Sequence, residues 1–364
     1  MPLGAMPTRR QLLAGTAASV LAAPVAARSA AAQQTPRVRV IDIHAHWYPP
    51  QWIDLLVKQG EANGAKMGRN PRDQITVGIP GLGVTLQPQY TDIPTRIAAM
   101  DKAGVAMHAL SLTQPMVYWA PPEFGLKLCQ AFNDACSALH TQHPDRFVGL
   151  ATVPMQAPQL AVAELDRAAK LPGIRGLYMA THINARNLDD KDFWPVYARA
   201  ETLGLAIFLH PVNPVGADRM RNYYLRNFLG NPYDTGIAAA SLMFSGVMDA
   251  FPRLDVVLPH AGGTFPALLG RMTHGATVRS EVKDLKNPPM SYAGRFHYDT
   301  VAHDTQTLMN LVRQVGVERV VAGTDYPADM SLGDVVATVE KLTELAAADR
   351  DKILRGNAAR LLRL

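Results

Sequence analysis

Val38-Arg39-Val40-Ile41-Asp42-Ile43-His44-Ala45-His46 is an apolar run that closes on two imidazoles. Side chains alternate along a strand, so residues two apart share a face, and His44 and His46 stand together at the strand's C-terminal end. A His-x-His pair in that position is half of a metal site, and the rest of the chain must supply the other half.

Working outward, short β-rich runs alternate with alanine- and leucine-rich helical stretches. The runs are Val105 to Leu112, Arg146 to Val153, Ile174 to Met179, Leu205 to His210, Leu254 to Pro259, Phe296 to Thr300 and Arg319 to Gly323. Helical stretches include Pro94 to Ala103, Leu160 to Ala169, Asp192 to Leu203, Gly236 to Ala250, Asp304 to Val315 and Asp334 to Ala346. With the opening strand this gives about eight β/α units, the count of a closed (β/α)8 TIM barrel, an α/β fold. A doubly wound sheet is the competing arrangement of the same rhythm. The rhythm breaks only from Trp47 to about Thr91, a segment with the turn-rich Gly78-Ile79-Pro80-Gly81-Leu82-Gly83-Val84. This insertion follows the strand that bears the histidine pair, so it is expected to form a lid or a wall of the active face.

The 364 residues are 48% hydrophobic and 18% charged, an ordinary balance for a globular chain with a sizeable core. The net charge is +5, but setting aside Arg9, Arg10 and Arg28 leaves 33 basic against 31 acidic groups from residue 33 onward. Nothing in that balance points to nucleic acid. Residues 1–32 read as an export signal: Thr8-Arg9-Arg10-Gln11-Leu12-Leu13, an apolar alanine-rich stretch, then Arg28-Ser29-Ala30-Ala31-Ala32. The paired arginines suggest the twin-arginine route to a periplasmic or exported destination. The apolar stretch is short against the roughly 20 residues of a membrane span, so no stable insertion of the mature protein is expected. Residues 33–364 form the folded unit. Cys129 and Cys136 lie about 10 Å apart along one helical stretch, too far for an unstrained disulfide.

Three later strand ends carry the missing polar groups: Phe208-Leu209-His210-Pro211, Val257-Leu258-Pro259-His260-Ala261-Gly262-Gly263 and Val320-Val321-Ala322-Gly323-Thr324-Asp325-Tyr326-Pro327. In a barrel these ends converge, and His44, His46, His210 and Asp325 then make a shell suited to one divalent metal, zinc or manganese. His260 fits an acid or base beside it. A single strand-end histidine is usually a hydrogen-bonded structural residue, but five such groups on four apolar runs require a common purpose. His182, after the fourth strand, faces either the same pocket or its own loop. His108 lies within a strand, and His140, His143, His274, His297 and His303 have no comparable setting.

These stretches, with Arg96-Ile97-Ala98-Ala99-Met100-Asp101-Lys102-Ala103-Gly104-Val105, Arg219-Met220, Leu268-Leu269-Gly270-Arg271 and Gly356-Asn357-Ala358, resemble the amidohydrolase superfamily. The nearer resemblance is to its 2-amino-3-carboxymuconate-6-semialdehyde decarboxylase-like branch, over most of residues 38 to 364. It implies a single metal, zinc first and manganese second, on His44, His46, His210 and Asp325, with His260 and Asp325 as the catalytic acid/base groups. The branch lacks the carboxylated lysine of binuclear relatives, and no lysine stands at the fourth strand end here. Arg271 matches a position that reaches across a dimer interface to the neighbour's substrate carboxylate, which implies a homodimer. Tyr223 matches a pocket tryptophan. The branch's Arg-Pro step in the first long loop is missing, although Arg69, Arg72 and Arg96 are nearby. Val212 and Ala328 stand where the branch has aromatic residues, so the muconate semialdehyde itself is not the expected substrate. The expected activity is metal-dependent, non-oxidative decarboxylation of a small carboxylated aromatic or enoic acid. The alternatives are a hydrolase or hydratase acting on a lactone, an amide or a carbon–carbon bond, and a metal-binding protein without catalysis.

Overall fold

The computed structural model describes residues 40–282 and 285–364, so the expected export signal lies outside the described residues. Eight parallel strands form one sheet in chain order: β1 (Val40–His46), β2 (Val105–Ser111), β3 (Phe147–Thr152), β4 (Ile174–Ala180), β5 (Ile207–His210), β6 (Val256–Leu258), β7 (Phe296–Asp299) and β8 (Val320–Val321). Most of their residues are buried, as expected for a parallel sheet covered on its outer face by helices and filled within by its own side chains.

The seam decides between the barrel and the doubly wound sheet. Ile43 N donates to Ala322 O at 3.0 Å, Asp325 N to His44 O at 2.9 Å, and His46 N to Tyr326 O at 2.7 Å. A parallel bridge pairs Ala45 with Tyr326. The sheet therefore returns to its first strand, and it does so through His44, His46 and Asp325 themselves.

Helices between the strands start where the chain supplies a start signal. Proline occupies the first turn of Pro122–Gln142, Pro158–Ala168, Trp194–Leu203 and Phe265–Val278. Asp304 and Asp334 cap theirs by accepting from Thr307 N and Ala337 N. Two expected helices are shorter than their composition suggests. Gly236 to Ala250 divides into Asn231–Phe244 and Val247–Ala250, with Gly246 at φ +79° ending the first piece. Asp334 to Ala346 forms a helix only over Val335–Glu340. Cys129 and Cys136 are buried, unpaired thiols in Pro122–Gln142.

The segment from 47 to 91 contains a helix, Pro50–Gln59, that buries Trp52 and Leu56 completely. An antiparallel sheet of Lys66–Arg69, Ile75–Ile79 and Leu82–Thr85 follows. At its hairpin tip Gly81 has φ +74°, and a Cβ there would lie 2.8 Å from Asn213 Nδ2. The tip thus rests on the loop after β5, at the strand-end face. Among the described residues no helix is long and apolar enough to cross a membrane.

Candidate metal centre

At that face His44, His46, His210 and Asp325 come together, all buried, with ligand atoms within 4.8 Å of one another. Each imidazole is oriented through its Nδ1. His44 Nδ1 pairs with Asp299 Oδ2 at 2.7 Å, His46 Nδ1 with Ser111 Oγ at 2.9 Å, and His210 Nδ1 with Pro211 O at 3.0 Å. A carbonyl only accepts, and the Ser111 hydroxyl gives its proton to Ala45 O at 3.3 Å. The ring protons of His46 and His210 therefore sit on Nδ1, and their Nε2 lone pairs face inward.

Inward lies Asp325. Its Oδ1 is 2.9 Å from His46 Nε2, 3.2 Å from His44 Nε2 and 3.9 Å from His210 Nε2. Burial pulls His46 down to about 4 and His210 down to about 3, so both are neutral near pH 7. Burial works in the same direction on His44, but Asp325 and Asp299 on its two sides outweigh it and hold the imidazole up at about 10. Burial raises the Asp325 carboxyl, yet the surrounding histidines keep it well below the usual carboxylate range. The Nε2 lone pairs of the neutral His46 and His210 and the Asp325 carboxylate, aimed at one another, repel unless a cation lies between them. The buried Nε2 atoms of His44 and His210 have no hydrogen-bond partner, as ligand atoms awaiting a metal would. Three imidazoles and one carboxylate are a donor set suited to a single divalent cation.

His260 stands over the group, its ring centroid 5.4 Å from His44 and 5.5 Å from His210, with Nε2 3.6 Å from Asp325 Oδ2. Its Nδ1 is buried without a partner. His260, Ala261, Gly262 and Gly263 all have positive φ, so the turn holds the ring beside the metal group at the expense of backbone strain. A cavity of about 510 Å³ opens from His260 and Asp325, lined among others by Phe228, Asn231, Val301, His303 and Met330.

Sequence reasoning gave the layer beneath no part in the site and named Arg96 only for its charge. Asp299 and Ser111 hold ligand rings. Asp42 accepts from His44 N at 2.9 Å and Thr324 N at 3.1 Å, tying the two ligand-bearing turns together. Fully buried Arg96 donates to His46 O and lies 4.8 Å over the Tyr326 ring, supporting the seam. Asp299 carried a readable signal, an acid closing an apolar run, the same as Asp325. The remaining substrate candidates lie elsewhere. The structure does not bring His182 to the metal group: its Nδ1 accepts from Ala185 N at 3.1 Å, its Nε2 lies 3.2 Å from Asn213 O, and it lines a separate cavity of about 760 Å³. Arg271 is exposed on Phe265–Val278, and Tyr223 is 85% exposed.

Comparison with known proteins agrees with this geometry. The family described as Amidohydrolase matches residues 41–364. A 2-amino-3-carboxymuconate-6-semialdehyde decarboxylase of Dictyostelium discoideum is 34% identical over 89% of this chain and 91% of its own. The crystal structure of a 5-carboxyvanillate decarboxylase from Sphingomonas paucimobilis superposes with a TM-score of 0.78 at 27% identity, over 90% of this chain and 99% of that one. A dihydroxybenzoic acid decarboxylase from Polaromonas, with bound manganese and 2-nitroresorcinol, gives 0.73 at 26% identity over 90% and 97%. With the barrel closed through its own ligand residues and the match running from the first strand to the last residue, this chain belongs to the amidohydrolase family.

Proposed function

We propose that the protein is a metal-dependent, non-oxidative decarboxylase of a small carboxylated aromatic or enoic acid. One observation carries this reading: three imidazoles with inward Nε2 atoms surround Asp325 beneath His260, at the floor of a cavity large enough for a substituted ring. Relatives with such substrates in their names support it. His44, His46, His210 and Asp325 would hold the metal, zinc first and manganese second. A divalent cation there supplies a Lewis acid and a template for a carboxylate and its neighbouring oxygen. The chain's own residues do the rest. As the bond to the carboxyl carbon breaks, carbon dioxide leaves, the electron pair stays on the substrate carbon and takes a proton from His260 Nε2, beside which the Asp325 Oδ2 carboxylate oxygen lies at 3.6 Å. The apolar lining, Phe228, Val301 and Met330 among it, keeps water from competing for the bound acid.

The reading extends to a homodimer. Tyr223, Tyr224, Phe228, Leu229 and Tyr233 expose aromatic and aliphatic surface beside the cavity, which supports an interface there. Arg271 and Tyr223, both exposed, would then contact a neighbour's substrate. Export through a twin-arginine-type signal, carrying folded and metal-loaded protein, completes the proposal.

The test is elemental analysis of the purified protein, paired with carbon dioxide release over hydroxybenzoates and carboxymuconates. About one zinc or manganese per chain with carbon dioxide evolved is the expected result. Stoichiometric metal with none evolved would replace decarboxylation by hydrolysis of a lactone or an amide. Absence of metal would remove the reading altogether.

A further inference from the structure

We propose that Asp299 is the positioning residue that joins the metal group to the proton donor, and that its charge sets the tautomer of His44. The inference rests on the metal-centre reading above. Asp299 closes β7 and is completely buried. Its two oxygens serve two parts of the site. Oδ2 takes His44 Nδ1 at 2.7 Å. Oδ1 accepts Ala261 N at 2.7 Å and Val301 N at 3.0 Å. Ala261 is the middle of the strained turn that carries His260, with φ +53° at both residues.

One carboxylate thus fixes the ring of a ligand and the backbone under the acid. Neither of the other orienting groups does both: Ser111 holds His46 and bonds back to Ala45, and Pro211 O holds only the histidine before it. A carboxylate is also the strongest acceptor of the three, so it makes His44 the most electron-rich of the imidazoles once its Nε2 is free to coordinate. The site has little room to replace this arrangement. A Cβ on Gly323 would lie 2.9 Å from Asp299 Cβ and 3.0 Å from His44 Cβ, so the two side chains are packed against the backbone of the loop that leads to Asp325.

Asp299→Asn separates charge from shape. The amide oxygen can keep the Ala261 and Val301 N–H groups, but its NH2 then faces His44 Nδ1. Two donors cannot share that contact, so the ring proton must move to Nε2, the position a metal needs. Zinc affinity should fall by about 10- to 100-fold, read by chelator competition starting from metal-free protein. Nitrogen-15 NMR of histidine-labelled, zinc-loaded wild type should show the His44 proton on Nδ1, a measurement that stands even where the variant fails to fold. A wild-type His44 proton on Nε2, or a zinc dissociation constant for Asp299→Asn within about twofold of wild type against that expected loss, overturns the proposal. If the unaltered protein itself takes up no zinc, the metal reading fails and this inference with it. If it takes up zinc and the variant does so equally well, only the role of Asp299 fails.

Discussion

His44, His46 and His210 each commit Nδ1 to an acceptor, whereas His260 has a buried, unpartnered Nδ1 and an Nε2 that approaches Asp325 only at 3.6 Å. The first three are locked in tautomer and orientation, as ligands must be. The fourth keeps a ring nitrogen uncommitted to any neighbour, as a proton donor to substrate needs. His260→Ala should therefore leave bound metal at the wild-type stoichiometry while lowering kcat by about 10²- to 10⁴-fold, measured by carbon dioxide release on metal-loaded protein. A variant that keeps its turnover would remove His260 from the chemistry, and one that loses metal would make it a ligand. At this scale the sequence was legible where chemistry sits at a strand end. His44, His46, His210 and Asp325 announce themselves through apolar runs that stop at a ligating side chain. Ser111 and Pro211 could not be found in that way, because what matters in them is a hydroxyl and a carbonyl whose partners lie far along the chain or depend on a ring's rotation. Arg96 was noticed for its charge, and its burial against the seam gives that charge a supporting task instead.

The elements that carry these residues meet closely where β8 leads into the Asp325 turn. Gly323 lies between His44 and Asp299, with less than a normal contact distance available for any Cβ. Gly323→Ala should push β1 and β7 apart at their ligand-bearing ends. The expected cost is about 1–3 kcal/mol of stability, seen in denaturant unfolding, together with weaker metal binding by chelator competition. Wild-type stability and wild-type metal affinity in this variant would show that the seam yields more than its packing implies. The eight strands were readable because parallel barrel strands are nearly continuous apolar runs. The segment from 47 to 91 was readable only as a wall. Its strands are four or five residues long and half-exposed, so no alternation marks them, and Lys66–Arg69 has no buried residue at all. Helix lengths were overestimated for the opposite reason: helix-compatible residues, Val247 to Ala250 and Lys341 to Ala346, continue past the point where Gly246 or the end of Val335–Glu340 turns the backbone away.

For the molecule as a whole, burial of histidines makes stability depend on pH. His108 lies inside the barrel wall beside Arg96 Nη1 at 3.3 Å, Asp42 Oδ2 at 3.5 Å and the Tyr326 ring at 5.3 Å. Burial, then Arg96 and Arg146, hold it well below the ordinary histidine value of 6.5. His297, packed against Asp255, is lowered mainly by burial. In the unfolded chain both take up protons as pH falls through 6.5, while in the folded chain they do so only at lower pH, so the unfolded state binds more protons and stability is lost on the acid side. Asp42 acts in reverse. Burial raises it to about 6, so the folded chain protonates it first and offsets one of the two histidines as pH falls from there toward its ordinary 3.8. Comparing the wild type with His108→Gln isolates one term. The unfolding free energy of the wild type should fall more steeply between pH 6.5 and 5, with the two slopes differing by up to about 1.4 kcal/mol per pH unit. The measurement is urea unfolding at closely spaced pH values, with the metal kept saturating. Parallel curves would mean that His108 protonates inside the fold, and that the Arg96 layer under the metal group is wetter than its burial indicates.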